Sequence, residues 1–197
     1  MKRLHISFNA PATLGFVLLC LVAMLGNILT GGWCNLKLFS VYHSPLSDPL
    51  SFFRFFGHVL GHANWTHLVN NMMYILLLGP LLEEKYGTSN IIFIILLTAL
   101  ITGLVNYIFF PYTQLLGASG VVFAMILLSS FSCAKGRELP LTFILVAILY
   151  LGEQVYQLVT VQDSISQTSH VIGGTIGALF GFLMNRNTHK RHGKRSA

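Results

Sequence analysis

The sequence predicts an all-α polytopic membrane protein: six transmembrane helices, with one long outer loop between the first and the second. Three observations carry this expectation. Of 197 residues, 54% are hydrophobic and only 9% are charged, whereas water-soluble domains carry roughly 25% charged residues. Six apolar stretches follow one another, each close to the ~17–25 residues that a membrane helix needs. The basic residues also divide very unevenly between alternate connections, as the two faces of a membrane require.

The first stretch covers about 12–29. It follows Lys2 and Arg3, as a signal peptide would, but its apolar run exceeds the usual ~7–15 residues and no clear A-x-A site follows, so it reads as a span. The connection 33–65 holds FFRFF (52–56) between two tryptophans, a composition suited to lying in the lipid interface. A connection this long in so small a chain is more often functional than idle. The remaining spans read as about 66–82, 91–110, 117–134, 139–159 and 169–184. A basic tail over 185–197 follows, and the whole reads as one membrane domain over 1–197.

With the amino terminus inside, Lys2, Arg3, Lys85, Lys135, Arg137, Arg186, Lys190, Arg191, Lys194 and Arg195 are cytoplasmic, and only Lys37 and Arg54 are external. Ten of the 12 basic residues therefore share one face, which sets both termini in the cytoplasm. The second, fourth and sixth spans then all descend from the outer face. The net charge of +6 comes largely from the tail RNTHKRHGKR. Beside apolar spans this reads as a cytoplasmic anchor to the lipid bilayer, with no nucleic-acid partner. Cys20, Cys34 and Cys133 stand far apart with no C-x-x-C pair, so neither a disulfide framework nor a thiolate metal site is indicated.

A charged group in the middle of a span costs about 3 kcal/mol or more, so polar residues there ask for a reason. The second span opens with HANWTHLVNN, which puts His67 and Asn71 on one helical face. The fourth carries Ser119 at its outer end within LLGASGVVFA, and the sixth opens with SHVIGGTIGALFG around His170. All three motifs start a descending helix, so they share one depth just below the outer surface. Gly173, Gly177 and Gly181 recur every four residues below His170, and Gly117, Ala118, Gly120 and Ala124 surround Ser119. Packing is the commoner meaning of such small-residue strips. If these two faces meet, however, His170 is carried towards Ser119.

That grouping suits acyl transfer. A serine hydroxyl becomes a nucleophile when a base takes its proton, and histidine is the usual base. The oxyanion that forms needs donors. The free N–H groups at the outer end of the fourth helix, the Asn71 amide and the His67 ring can supply them. None of the six acidic residues has a motif tying it to His170, so a Ser–His dyad is expected rather than a triad. Phe123, one turn below Ser119, is placed to support the imidazole by stacking. His58, His62 and His67 do not form H-E-x-x-H, and no metal or other cofactor is expected. His58 and His62 read as braces of the outer loop, Arg54 as a donor to loop carbonyls, and Glu83-Glu84-Lys85 as the solvated end of a helix. Glu153 is the one acidic group well inside a span, and the sequence assigns it no role.

These residues resemble the rhomboid intramembrane serine proteases in their minimal six-helix bacterial form, over nearly the whole chain. The motifs that carry the resemblance are H-x-x-x-N at His67–Asn71, G-x-S-G at Gly117–Gly120 and H-x-x-G-x-x-x-G at His170–Gly177. The resemblance implies a rhomboid-like bundle in a bacterial plasma membrane, with its active site opening to the outer face. It implies Ser119 as nucleophile and His170 as general base, with Asn71, His67 and the Ser119 N–H as oxyanion donors. Gly117, Gly120, Phe123, Gly173 and Gly177 become parts of the structural motif, Arg54 the structural arginine of the outer loop, and Glu83 the family's acidic residue at the inner end of the second span. The partners implied are single-span transmembrane protein substrates. Where the family has Trp-Arg, Tyr and Ala-His, this chain has Phe53-Arg54, Phe123 and Ser169-His170. The other reading left open by the sequence is a non-catalytic rhomboid-like binder of transmembrane helices in quality control.

Overall fold

Helix α1, Pro11–Leu29, begins with proline in its first turn but has no capping side chain of its own. In the computed structural model, which describes residues 8–131, 138–160 and 164–193, that cap comes from Glu83. The carboxylate accepts the N–H groups of Ala12 and Thr13 at 2.9 and 3.0 Å, and the hydroxyls of Thr13 and Thr88 at 2.8 Å each. The residue is only 4% exposed. The expectation of a solvated helix end at 83–85 is therefore corrected for Glu83. A carboxylate at the positive end of α1 satisfies amides that would otherwise be orphaned, and four donors offset its burial. Glu84 and Lys85 are exposed.

Seven more α-helices follow among the described residues: α2 Trp33–Lys37, α3 Pro49–Gly57, α4 Trp65–Tyr86, α5 Thr88–Phe109, α6 Ser119–Ser129, α7 Leu141–Thr160 and α8 Ser164–Gly193. Six of the eight, α1 and α4 to α8, overlap the six predicted stretches. Helices α1 and α5 are long and apolar enough to cross a membrane by themselves. The expectations at Lys2, Arg3, Cys133, Lys135, Arg137, Lys194 and Arg195, and at the side chains of Arg186, Lys190 and Arg191, fall outside what is described.

Two boundaries differ from the expected ones. The sixth stretch is a longer helix, with α8 covering 30 residues. The fourth is shorter, since α6 has 11 residues, about 16 Å. Its start is delayed because Gly117 takes φ +126°, and its end comes where Ser129 and Ser130 turn their hydroxyls back to the Ile126 carbonyl, a local bond that competes with the helical one. Every residue from Gly120 to Leu128 is buried. A helix apolar on all sides is a core helix, and here the hydropathy of 117–134 reported burial by protein as well as length.

Around α6 the core gathers Leu68, Met72 and Ile75 of α4, Ile94, Ile95 and Ala99 of α5, and the glycine face of α8. A Cβ on Gly173 would collide with the Gly120 carbonyl, one on Gly177 with the Ala124 carbonyl, and one on Gly181 with the Phe131 ring. The two small-residue faces therefore meet, and the helices pack backbone against backbone.

The outer loop folds over α5. Arg54, 2% exposed, donates to the Lys37 carbonyl at 2.8 Å, the Ser44 hydroxyl at 3.4 Å and the Asp48 carboxylate at 3.0 Å. Asp48 also caps α3 by accepting the Leu50 N–H, and this bond, followed by the Arg54 guanidinium, holds its carboxyl below the ordinary range. Elsewhere the loop exposes Trp33, Phe52, Phe53, Phe56 and Trp65. An isolated antiparallel bridge, Val41 to Leu115, ties the loop to the segment that leads into α6.

Removing the α1 cap tests this account. Glu83→Ala is expected to lower stability by about 2–4 kcal/mol, measured as reversible unfolding in detergent, while Glu84→Ala leaves it within about 0.5 kcal/mol.

Candidate active site

Three helix beginnings converge. Asn64 caps α4 by accepting the His67 N–H at 2.8 Å, which puts His67 in the first turn and Asn71 one turn deeper. Gly117 leads into α6; its own N–H donates to the His58 carbonyl at 2.9 Å. Its φ of +126° lies in a region that only glycine enters without strain. A Cβ there would sit 2.7 Å from His67 Cε1, 2.8 Å from His67 Nε2 and 4.0 Å from Asn71 Nδ2. The His67 ring edge and the Asn71 amide thus face the backbone immediately before Ser119.

Asn71 is 6% exposed, and its amide nitrogen is buried with no hydrogen-bond partner among the described residues. A buried donor left unused costs about 1–3 kcal/mol, and such a group in a native protein asks for an explanation. Ser119 is half-buried as the first residue of α6. The first helical bond runs from Val122 N–H to the Ala118 carbonyl at 3.0 Å, so the amides before Val122 point out of the helix end.

His170 arrives from α8. Its ring stacks on Phe123 with centroids 4.2 Å apart and planes 9° from parallel. The carbonyl of Ser169 lies 3.3 Å from where a Gly120 Cβ would be, so the residue before His170 abuts the residue after Ser119. Tyr150 of α7 meets the other side of this group, its ring edge-on to Phe123 at 5.1 Å.

The residues proposed from sequence therefore divide. Ser119, His170, Phe123, Gly120 and Gly173 share the α6–α8 contact, while His67, Asn71 and Gly117 lie beside it. Gly177 is one turn further along the same contact. Arg54 lies in the outer loop and Glu83 at the far end of α4; neither reaches the site. Sequence reasoning did not find Tyr150, because nothing in the α7 sequence says which face meets Phe123. It also did not find the contact between the His62 and His67 rings, 5.0 Å apart and steeply inclined.

His58 uses both ring nitrogens on the loop side of this region, and His62 one, its buried Nε2 having no hydrogen-bond partner among the described residues. Nδ1 of His58 donates to the Arg54 carbonyl and Nε2 meets the Thr102 hydroxyl, each at 3.2 Å. The Nδ1 of His62 donates to the Leu60 carbonyl at 3.1 Å. Burial pulls the His58 imidazole down to about 4; burial, and after it the neighbouring His67, does the same for His62. Among the described residues no three His, Cys, Asp or Glu side chains are gathered in a way that could hold a metal ion.

Residues 49–187 match the family model of the rhomboid domain. The chain belongs to the rhomboid family. Its curated relatives include the rhomboid proteases GlpG of Yersinia pestis (strain Pestoides F) and of Yersinia pseudotuberculosis serotype O:3 (strain YPIII). Each is 27% identical over 182 residues, which is 90% of this chain and 64% of the relative. The chain thus spans about 64% of the length of the curated relatives it matches. The match begins within the outer loop and runs through all three motif-bearing helix starts, so the family's domain contains the whole cluster described above.

Two measurements probe this geometry. Gly117→Ala is expected to destabilise the protein by about 1–3 kcal/mol, because the new methyl group is strained and strikes His67. Gly15→Ala in α1, where a Cβ meets nothing within 4 Å, is expected to be neutral or to stabilise by up to about 1 kcal/mol. Stability is also expected to fall as pH drops from 6.5 towards about 4. In that window the unfolded chain binds protons that the folded His58 and His62 refuse, so their contribution is complete above it and lost below it. Thermal unfolding at a series of pH values measures this, and a flat profile would contradict the buried neutral imidazoles.

Proposed function

We propose that this chain is an intramembrane serine endopeptidase that hydrolyses a peptide bond in or near the transmembrane segment of single-span membrane proteins, by a Ser119–His170 dyad through an acyl-enzyme. The observation that carries the reading is the stacking of His170 on Phe123, one turn below Ser119, across a helix contact that admits no side chain at Gly173. The proposal includes six membrane crossings by α1 and α4 to α8 in one domain, with both termini in the cytoplasm of a bacterial cell. The site then opens to the outer face of the plasma membrane, and the exposed aromatic side of the outer loop rests in the lipid interface.

In this mechanism the Ser119 hydroxyl attacks the substrate carbonyl carbon while His170 takes its proton. Negative charge moves to the former carbonyl oxygen, where Asn71 Nδ2, the His67 ring and the Ser119 N–H donate to it. Asn71 suits this role because its amide has no competing partner in the resting protein. The intermediate collapses, His170 returns the proton to the leaving amine, and an ester to Ser119 remains. Water then attacks the ester with His170 again as base, releasing the acid and restoring the serine. A substrate helix must unwind locally first, since its carbonyls are bonded and shielded within the helix.

Ser119→Ala is expected to lower cleavage of a model transmembrane substrate by about 10⁴- to 10⁶-fold, and Asn71→Ala to lower kcat about 10²- to 10³-fold. Cleavage is measured with purified protein in vesicles. Labelling of Ser119 by a fluorophosphonate is expected to disappear in His170→Ala, and the rate to fall on acidification because a protonated imidazole accepts no proton. Equal cleavage by wild type and Ser119→Ala overturns the nucleophile. Tight binding of transmembrane segments with no hydrolysis favours the non-catalytic reading.

A further inference from the structure

The His67 ring is half-buried in the first turn of α4. The proposed mechanism asks this ring to donate to an oxyanion, which requires a fixed orientation. Its backbone N–H is held by Asn64, but among the described residues no hydrogen bond reaches the ring. What meets the ring is His62, whose own ring lies 5.0 Å away and is inclined to it by 70°. Aromatic pairs favour this edge-to-face arrangement, so each ring limits the rotation of the other.

His62 is the anchored member of the pair. It is fully buried, and its Nδ1 donates to the Leu60 carbonyl at 3.1 Å. A carbonyl only accepts, so the proton sits on Nδ1 and Nε2 carries a lone pair. The His62 carbonyl accepts the Asn35 side-chain amide at 2.8 Å, and the Asn35 N–H donates to the Asn27 side chain at 2.9 Å. Gly61, just before it, has no room for a Cβ, which would collide with the Phe39 carbonyl. His62 is thereby fastened to α1, α2 and the outer loop, while the Cε1 and Nε2 of His67 face the backbone before Ser119. The buried Nε2 of His62 has no partner among the described residues, which in a native protein asks for an explanation. A histidine kept with one nitrogen unused is kept for the placement of its ring.

We infer that His62 is a positioning residue: its anchored ring holds the His67 ring in the plane that turns Nε2 towards the backbone before Ser119, and so carries the rigidity of the outer loop into the oxyanion site. This rests on the proteolytic reading, in which His67 donates to the oxyanion. His62 touches no reacting atom and acts only through His67. Its effect falls on the chemical step rather than on substrate binding, because the His67 donor is called upon when charge develops on the carbonyl oxygen.

The test separates the ring of His62 from its bond to the loop. His62→Asn keeps a donor for the Leu60 carbonyl and loses the ring, whereas His62→Phe keeps a ring and loses the donor. Cleavage of a model transmembrane substrate is measured with the whole chain in vesicles. His62→Asn is expected to lower kcat about 10- to 100-fold with KM within about twofold. The ring-less His62→Leu is expected to follow it, and His62→Phe to stay within about threefold of wild type. In a His67→Ala background His62→Asn is expected to add no further loss, since the ring it positions is gone. A kcat for His62→Asn or His62→Leu equal to or above that of His62→Phe overturns the inference and leaves Ser119-dependent cleavage standing. Full additivity with His67→Ala does the same. A second readout needs no catalysis: carbon relaxation of the His67 Cε1–H group in Ser119→Ala protein in micelles. It is expected to report an ordered ring, also with His62→Phe, and a mobile one with His62→Asn or His62→Leu. Unchanged ring order in those two variants overturns the inference even if no cleavage depends on Ser119.

Discussion

The contact between α6 and α8 admits nothing larger than hydrogen at Gly173 and Gly177, whose missing Cβ atoms leave room for the Gly120 and Ala124 carbonyls. Lipid offers no hydrophobic drive for apolar helices to associate, so close backbone packing and the dispersion it gains must supply it. Once the two backbones touch, the rest of the site has little freedom. Ser169 lies against Gly120, and the His170 ring falls onto Phe123. The same closeness leaves the short helix α6 buried on every side, its amino end held in place by its neighbours.

Buried polar groups in this protein fall into two kinds. Glu83 and Arg54 are charged and nearly inaccessible, and each is surrounded by partners that satisfy it. One joins the start of α1 to α4 and α5, and the other draws the outer loop around the Lys37 carbonyl and Asp48. Such fully bonded charges specify geometry, since removing one partner leaves a buried charge uncompensated. Asn71 is of the other kind: its amide is buried, unpartnered and directed towards the backbone before Ser119. Keeping a donor unused in the resting protein is the condition for its being available when charge develops on a substrate.

The outer loop contributes by holding the approach to α6 still. The Val41–Leu115 bridge and the bond from Gly117 N–H to the His58 carbonyl fasten the residues immediately before Ser119. His58 in turn links that carbonyl's neighbourhood to Arg54 and to Thr102 of α5. This long connection is thus more than a tether: it is part of the scaffold that keeps Gly117 at its positive φ beside His67.

Much of this was legible in the residues themselves. Hydropathy located the helices, and periodic glycines named the faces that meet. The three polar motifs at helix starts named Ser119, His170, His67 and Asn71, because each is a residue whose burial in an apolar stretch requires a reason. Glu83 was legible only as a charge near a helix end. That it is buried beneath α1 depends on a neighbour 70 residues away, and local patterning carries no such information. The length of α6 was misjudged for a related cause: a stretch surrounded by protein and a stretch surrounded by lipid are equally apolar. Composition and spacing singled out the residues proposed to be chemically active. Which of them touch, which carboxylate is buried and which faces outwards, and how Tyr150 joins Phe123 were decided by packing, because contacts between distant segments are set by the shapes of the assembled faces and are not encoded within any one of them.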